Sequence, residues 1–265
     1  MSIRRITENV YELQLGKVNA FLVEEDEKLT LIDTGVPDST GQIIEMIREI
    51  GRQPEELKHI LLTHSHPDHA GSVAQLKVIT GAKVYMHPAE KLNVEKGFVP
   101  KPSEPYFTSF VNKLMYNLFV KNASGYIQPT KVDVLLQDGD WLPIAGGLHV
   151  IHIPGHSAGQ VAFFLPGRKN VLFAADAADN LFGLSYNCFY ENFTEAGHSL
   201  EKLSTFDFDI ACFGHGKSIM RRAAEKFRNR FLAHRHSASQ AKAAQPYLVM
   251  EQDVILSMRK PEEKI

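Results

Sequence analysis

Cysteine is scarce in this sequence: Cys188 and Cys212 are the only two among 265 residues. They lie far apart along the chain, so neither a CxxC motif nor a disulfide framework can be built from them. Long hydrophobic runs are also absent. The sequence has no apolar stretch of about 18 residues, the length that could span a membrane, and its polar N-terminus lacks the apolar region of a signal peptide. We therefore expect a soluble, cytoplasmic protein with no membrane partner.

A charge excess of one sign is missing as well. Lys+Arg number 29 against 31 Asp+Glu, which leaves a formal net charge of −2. This balance excludes the strong electrostatic attraction by which basic proteins bind nucleic acids. The content of 44% hydrophobic and 23% charged residues is typical of a globular protein. We expect a folded protein that acts on a small-molecule substrate and not on nucleic acid.

Short β-rich runs alternate with helical patterns along the chain. The sequence predicts strands at 10–15, 18–24, 29–33, 60–62 and 84–86, and again at 132–136, 148–153, 161–165 and 171–174. Apolar stripes predict helices after Asp38-Ser39 and from Ala70 to about Gly81. The second half thus repeats the order of the first, which indicates two sheets packed together with helices outside.

Residues 97–130 differ from this pattern because they contain seven aromatic residues. Apolar residues between Phe107 and Phe119 cover more than one helical face, which predicts a helical insertion that packs on two sides. Two interpretations stay open: a subdomain helix buried in its own core, and a lid or pocket wall.

Three histidines and an aspartate stand within six residues, directly after a predicted strand, in the motif His64-x-His66-x-Asp68-His69. In an extended turn His64 and His66 point the same way, while Asp68 and His69 begin the next helix and can turn toward a neighbouring point. One loop can therefore supply ligands to two metal positions. Imidazole nitrogen and carboxylate oxygen are ligands that Zn²⁺ accepts.

Four ligands cannot complete two metal shells, so others must come from distant parts of the chain. His156, Asp176 and His215 each follow a predicted strand in a short turn, and glycines flank the two histidines. Glycine permits the tight backbone that aims a side chain from a short loop.

Together these residues make the chain similar, over nearly its full length, to hydrolases of the metallo-β-lactamase superfamily. The five sequence signatures of that superfamily have matches in Asp33 of Ile32-Asp33-Thr34-Gly35, the cluster from His64 to His69, His156, Asp176 and His215. The resemblance implies an α/β fold: a four-layer αββα sandwich of two mixed β-sheets flanked by helices, in a single domain over residues 1–265.

For the dinuclear members of this family, the resemblance implies two divalent metal ions, zinc first, with manganese, cobalt or iron as alternatives. The metal ligands would be His64, His66 and His156 at a first position, Asp68, His69 and His215 at a second, and Asp176 bridging both. Asp33 would orient the ligand loop. A hydroxide held between the two metals would attack the substrate, with Asp68 and Asp176 as catalytic residues that steer protons.

Family members differ in their substrates. Metallo-β-lactamases lack the bridging aspartate, whereas lactonases share all seven ligands but carry a tyrosine where this chain has Asp179; Tyr186 or Tyr190 could replace it. We therefore expect a lactone or carboxylic ester with a hydrophobic acyl portion, because aromatic residues are frequent in 97–130 and after Asp176. Those aromatics could instead form a homodimer contact. The alternatives are a thioester hydrolase similar to glyoxalase II and a persulfide dioxygenase with one iron.

A basic stretch follows His215. The apolar stripe of Ile219, Ala223, Phe227 and Phe231 predicts an amphipathic helix whose charges form a solvated face, with an anionic-substrate site as the alternative.

Overall fold

In a computed structural model of the chain, residues 2–232 are described, and two mixed β-sheets form its centre. The strands of the first sheet are β1 (Ser2–Arg5), β2 (Val10–Leu15), β3 (Val18–Glu25), β4 (Lys28–Ile32), β5 (Leu57–Leu61), β6 (Lys83–Met86) and β7 (Val134–Leu135), in that spatial order. Neighbours are antiparallel from β1 to β4 and parallel from β4 to β7.

The second sheet comes from the second half of the chain. It contains β8 (Trp141–Leu142), β9 (Leu148–His152), β10 (Val161–Leu165), β11 (Val171–Phe173) and, after a small hairpin of β12 (Ala178–Asp179) and β13 (Ser185–Tyr186), β14 (Ile210–Cys212). Their spatial order is β14-β11-β10-β9-β8, with β11 and β14 parallel and the other pairs antiparallel.

Seven helices lie within the described residues, and all but the fifth contribute side chains to the apolar clusters on the outer faces of the sheets. They are α1 (Thr40–Glu49), α2 (Pro67–Ala70), α3 (Val73–Thr80), α4 (Pro88–Lys96), α5 (Phe110–Phe119), α6 (Phe193–Ser204) and α7 (Ala223–Phe227), with a 3₁₀ turn at Pro54–Glu56 and a π-helical turn at Arg228–Leu232. None of the helices within residues 2–232 combines the length and the apolar character needed to cross a bilayer.

Alternation along the strands produces three apolar layers. In β3, Phe21 and Val23 point into the space between the sheets, while Ala20 and Leu22 point toward the helices α1 and α3. In β10, Phe163 faces the first sheet. A third cluster lies between the second sheet and the helices α6 and α7. This is the predicted four-layer αββα sandwich, and burial of each large apolar side chain in it stabilises the fold by about 1.5–3 kcal/mol.

Backbone hydrogen bonds join the two sheets at one edge, where several strands end. Val161 N donates to Thr63 O at 2.9 Å, and Asn19 N donates to Gly214 O at 2.9 Å. The loops that leave β4, β5, β9, β11 and β14 therefore meet at the same edge.

Several predicted elements differ from the structure. The helix expected from Ala70 is two helices, α2 and α3, separated at Gly71, where a Cβ would lie 2.3 Å from the Pro37 nitrogen. The strand expected at 132–136 covers Val134–Leu135 only. The helix expected to include Ile219 begins at Ala223, because Ile219 pairs with Ala211 as an antiparallel bridge. The single domain over residues 1–265 stays a prediction.

The prediction that the helix in 97–130 packs on two sides is wrong within the described residues. Only Tyr116 of α5 is buried, while Phe110 is 80% and Leu118 64% exposed. A segment buried in its own core is therefore excluded for α5, and its inner face lies against the candidate site described below.

Candidate metal centre

The seven side chains that the sequence singled out converge at the edge where the two sheets meet. His64 and His66 lie in the loop after β5, and Asp68 and His69 lie in α2. From the other sheet, His156 follows β9, Asp176 follows β11, and His215 follows β14. Three groups of these residues have ligand atoms within 4.8 Å of one another: His64, His66 and His156; His64, His69 and Asp176; and Asp68, His69 and His215.

The first group is a compact set of three imidazoles. His66 Nδ1 lies 3.0 Å from both His64 Nε2 and His156 Nε2. His64 is fully buried, and the ring of Phe189 covers the side of His156 at a centroid distance of 4.7 Å. Three nitrogen atoms therefore converge on one spot, with His64 and His156 buried and His66 partly buried.

The group of Asp68, His69 and His215, called the second group from here on, lies beside the first and is more open to solvent. His215 Nε2 lies 3.5 Å from Asp68 Oδ2, and His69 Nε2 lies 4.0 Å from the same oxygen. Asp176 stands between the two groups: its Oδ2 is 3.4 Å from His156 Nε2 and 3.3 Å from His215 Nε2. Each group takes two side chains from the first half of the chain and one from the second.

Two buried polar atoms at the centre have no hydrogen-bond partner among the described residues. They are His69 Nε2 and Asp176 Oδ1, which lie 3.6 Å apart. An unsatisfied buried polar atom costs about 1–3 kcal/mol, so such atoms at a functional site call for a ligand. A cation would satisfy both, and the donor set of imidazole nitrogens and carboxylate oxygens suits a divalent metal such as zinc. The residues present thus fit a metal centre.

The second nitrogen of four imidazoles is held by an outer partner. Nδ1 of His64 lies 3.0 Å from Thr63 Oγ1, that of His69 2.9 Å from Asp33 Oδ2, that of His156 3.1 Å from Phe189 O, and that of His215 3.0 Å from Lys17 O. Contacts of this kind fix the tautomer and orientation of a metal-binding histidine. The imidazoles are therefore aimed before any metal binds.

Asp33 makes the densest set of these outer contacts, from a left-handed backbone conformation with φ of 61°. Its Oδ1 accepts a hydrogen bond from Thr63 N at 2.8 Å, its Oδ2 accepts one from Thr63 Oγ1 at 2.8 Å, and its Oδ2 faces His69 Nδ1. The carboxylate thus joins the end of β5 to the start of α2, in the place that the sequence resemblance implied.

We expect Asp33→Asn to lower metal affinity about 10- to 100-fold, because an amide cannot hold both Thr63 and His69 as the carboxylate does. Competition with a chromophoric chelator measures this. The matched control is Asp38→Asn, since Asp38 is exposed and also has a positive φ of 71°. Equal affinity in the two variants would show that Asp33 does not orient the site.

The protonation state of the histidines differs between the first group and the second group. Burial lowers the pKa of His64 and His66 and brings that of His156 to about 4. Burial would also lower the pKa of His69, but the carboxylates of Asp176, Asp68 and Asp33 outweigh it and raise that pKa to about 10. His215 is raised well above its usual pKa in the same way, by Asp176 and Asp68. At neutral pH the metal-free first group is neutral, whereas His69 and His215 carry protons.

We therefore expect metal uptake to release protons at the second position and not at the first. A cation must displace the protons of His69 and His215, so its affinity there falls as the pH is lowered below about 10. Titration calorimetry at pH 7 in buffers of different ionisation enthalpy checks this. Release of no protons over both binding steps would contradict it.

The centre opens to solvent on the side of Asp68, whose side chain is 37% exposed, and of His215. Exposed apolar side chains adjoin Lys17 and Asn180, the two residues whose backbones hydrogen-bond His215. Phe119 of α5 lies against Lys17, with the ammonium 3.6 Å from the ring centroid, and Leu181 and the 97% exposed Phe182 follow Asn180, whose N–H donates to His215 O. Deeper in, Tyr116 of α5 contacts Phe189 at 5.1 Å between ring centroids.

The two tyrosines considered as substitutes at Asp179 differ in their surroundings. Tyr190 is buried, and its hydroxyl accepts from Asn187 N and donates to Ala177 O, both at 2.8 Å. Tyr186 lies against Arg230, 5.2 Å from ring centroid to guanidinium carbon, and against Phe231. The replacement by Tyr190 is therefore wrong.

Sequence reasoning missed Thr63, Phe189, Gly214 and Glu90, all of which contact the ligand residues or their loops. Thr63 adjoins His64 and could have been included by that adjacency. Phe189 acts through its carbonyl, which no residue type reveals. The histidines 59, 87, 149, 152 and 198 lie outside the three ligand groups, and His234 and His236 lie outside the described residues.

Comparison with protein families gives one clear match. The family profile described as the metallo-beta-lactamase superfamily matches residues 13–215, a span that contains all seven convergent side chains. In structure, the chain resembles BJP-1, a subclass B3 metallo-beta-lactamase of Bradyrhizobium japonicum, with a TM-score of 0.67 and 21% identity over 92% of this chain and 95% of that one. At this identity the likeness concerns the fold.

Relatives found by sequence align with only part of this chain and with only part of their own length. YobT of Bacillus subtilis is 33% identical over 62% of this chain and 63% of its own length. A hydroxyacylglutathione hydrolase of Pseudomonas aeruginosa is 28% identical over 56% of this chain and 43% of its own length. The chain thus matches less than two thirds of the length of each of these two relatives.

Proposed function

Because the chain belongs to the metallo-β-lactamase superfamily, a family of metal-dependent hydrolases, we propose that it is a dinuclear hydrolase of a lactone or carboxylic ester with a hydrophobic acyl portion. The observation that carries the proposal is the convergence of seven imidazoles and carboxylates around the unpartnered His69 Nε2 and Asp176 Oδ1.

In this proposal His64, His66 and His156 hold the first metal ion, and Asp68, His69 and His215 hold the second. Asp176 is shared, since its Oδ2 lies 3.4 and 3.3 Å from the nearest nitrogens of His156 and His215. Two divalent cations held by these residues would lower the pKa of a bound water and stabilise the negative charge that develops on the substrate oxygen.

The side chains of the centre would transfer protons and exclude water. Asp68 is the most exposed carboxylate of the centre and stands at its open side, so it is placed to pass protons between the reacting groups and solvent. In the metal-free chain, partial burial would raise the pKa of Asp68, but the neighbouring imidazoles of His69 and His215 hold it below the usual range, so the carboxyl is ionised at neutral pH. Phe189 excludes water from the face of His156.

The preference for a hydrophobic acyl portion rests on the opening of the centre. Phe119, Leu181 and Phe182 are 45% or more exposed, and they adjoin Lys17 and Asn180, which contact His215 at the open side of the centre. Apolar side chains that stay exposed beside a polar centre are typical of a site that receives an apolar ligand.

Thioester hydrolysis is the second candidate, because the relative from Pseudomonas aeruginosa is named a hydroxyacylglutathione hydrolase. A glutathione thioester carries charged groups that the apolar opening does not favour.

Metal analysis followed by a substrate panel tests the proposal. We expect two zinc, manganese or cobalt ions per chain, loss of turnover after treatment with a chelator, and recovery on return of the metal. Among an acyl-homoserine lactone, a phenyl ester, a phosphotriester and a glutathione thioester, we expect the first two to be hydrolysed fastest. Turnover of the thioester alone would favour the second candidate, and a single iron would favour a persulfide dioxygenase. A cytoplasmic location and a homodimer stay predictions.

A further inference from the structure

A buried carboxylate that is not one of the seven proposed ligands lies directly behind the centre. Glu90 is 3% exposed and occupies the first turn of α4, which begins at Pro88 after β6. Burial of an ionised carboxylate is costly unless several donors compensate it. The identity of those donors indicates what Glu90 does.

The donors belong to the two loops that carry the first group of imidazoles. Glu90 Oε2 accepts a hydrogen bond from Ser65 N at 3.2 Å and a very short one from the Ser65 hydroxyl, and Ser65 stands between His64 and His66. Glu90 Oε1 accepts from Gly159 N at 2.9 Å, in the loop that begins at His156. One side chain thus joins a loop of the first sheet to a loop of the second.

The contact between α4 and the second loop is close. A Cβ at Gly159 would lie 2.6 Å from Glu90 Cγ, so the loop backbone rests on this side chain. Asn93, one turn later in α4, donates to Ser65 Oγ at 3.0 Å and fixes the hydroxyl that Glu90 binds. Burial would raise the pKa of Glu90, but the hydrogen bonds from Ser65 and Gly159 lower it below its usual value, so the group is ionised at neutral pH.

We propose that Glu90 is a positioning residue that sets the distance between His156 and the pair His64 and His66, and thereby the metal affinity of the first position. The inference rests on the proposed metal binding. It is selective, because the second-position ligands are held by other groups: His69 by Asp33 and His215 by the carbonyl of Lys17.

Glu90→Gln tests this, with zinc affinity measured at each position by competition with a chromophoric chelator. The His215→Ala background weakens the second position and reports the first, and the His156→Ala background does the reverse. We expect Glu90→Gln to lower first-position affinity about 10- to 100-fold, the range found when the outer partner of a ligand is removed. Second-position affinity should stay unchanged.

The matched control is Glu12→Gln. Glu12 is equally buried and hydrogen-bonded, to Arg4 at 2.7 Å and to Ser218. Since Ser218 follows His215 and not His156, we expect this change to leave the first position unaltered. Equal zinc affinity of Glu90→Gln and wild type would overturn the proposal, as would the same first-position loss in Glu12→Gln or an equal loss at both positions.

Ser65→Ala keeps the proposal testable if Glu90→Gln does not fold. It removes one hydroxyl donor to Glu90 and leaves the backbone donor, so we expect a smaller loss at the first position only, and no loss would overturn the proposal. A wild-type chain that takes up no zinc would instead refute the proposed function, and the role of Glu90 with it.

Discussion

Alanine in place of Asp176 is expected to lower kcat/KM for the preferred substrate about a thousandfold or more, in the range produced by loss of an acid–base group. Among the described residues, only the Asp176 carboxylate lies within 3.6 Å of ring nitrogens of all three of His69, His156 and His215. Without it the two metal positions lose their common ligand. Steady-state kinetics and metal content per chain measure the effect.

Asp207→Ala is the control for this change, since Asp207 is exposed and follows α6, away from the centre. We expect wild-type kinetics and metal content in that variant. An Asp176→Ala enzyme that kept both metals and full turnover would refute the assignment of Asp176 as the shared ligand.

Gly214→Ala should be almost as damaging, although the change adds a single methyl group. A Cβ at position 214 would lie 2.2 Å from Asp176 Oδ1 and 2.6 Å from His69 Cε1. Neither neighbour can move freely, because both are buried and His69 is held by Asp33. Displacement of ligands by about 1 Å can cost about a hundredfold in rate, so we expect at least that loss in kcat/KM together with loss of one metal ion.

Gly197→Ala is the matched control. Gly197 lies inside α6, and a Cβ there would meet no atom within 4 Å. Alanine is favoured over glycine in a helix by about 0.5–1 kcal/mol, so this variant should unfold at higher denaturant concentration and keep wild-type kinetics. Wild-type metal content in Gly214→Ala would show that the centre tolerates the methyl group.

The convergence of the seven proposed ligands could be predicted from the sequence because each stands in a loop or turn after a strand. Spacing within six residues identified His64 to His69, and short turns after strands identified His156, Asp176 and His215. The ends of neighbouring strands meet at one edge when the sheets pack, so residues far apart in the chain converge. The αββα layers followed from the same alternation of strands and helices.

The residues that support the centre could not be found in this way. Glu90 follows a proline at the start of a helix, a pattern that a surface helix also shows, where such a carboxylate caps the helix and stays in water. Its burial depends on Gly159, almost 70 residues away. The exposure of α5 could not be predicted from the sequence either. Apolar periodicity indicates which side chains favour burial, but it does not indicate whether another surface covers them.

Each proposed metal position draws ligands from both sheets, so neither half of the chain can complete a position alone. Metal bound there would cross-link the two sheets reversibly, at the edge where Val161 N donates to Thr63 O. Because only the docked halves offer the full set, the apparent free energy of unfolding should rise with free metal concentration, by about 2.7 kcal/mol at a hundred times the dissociation constant. The stability of this chain would thus depend on the free metal concentration of its medium as well as on its sequence.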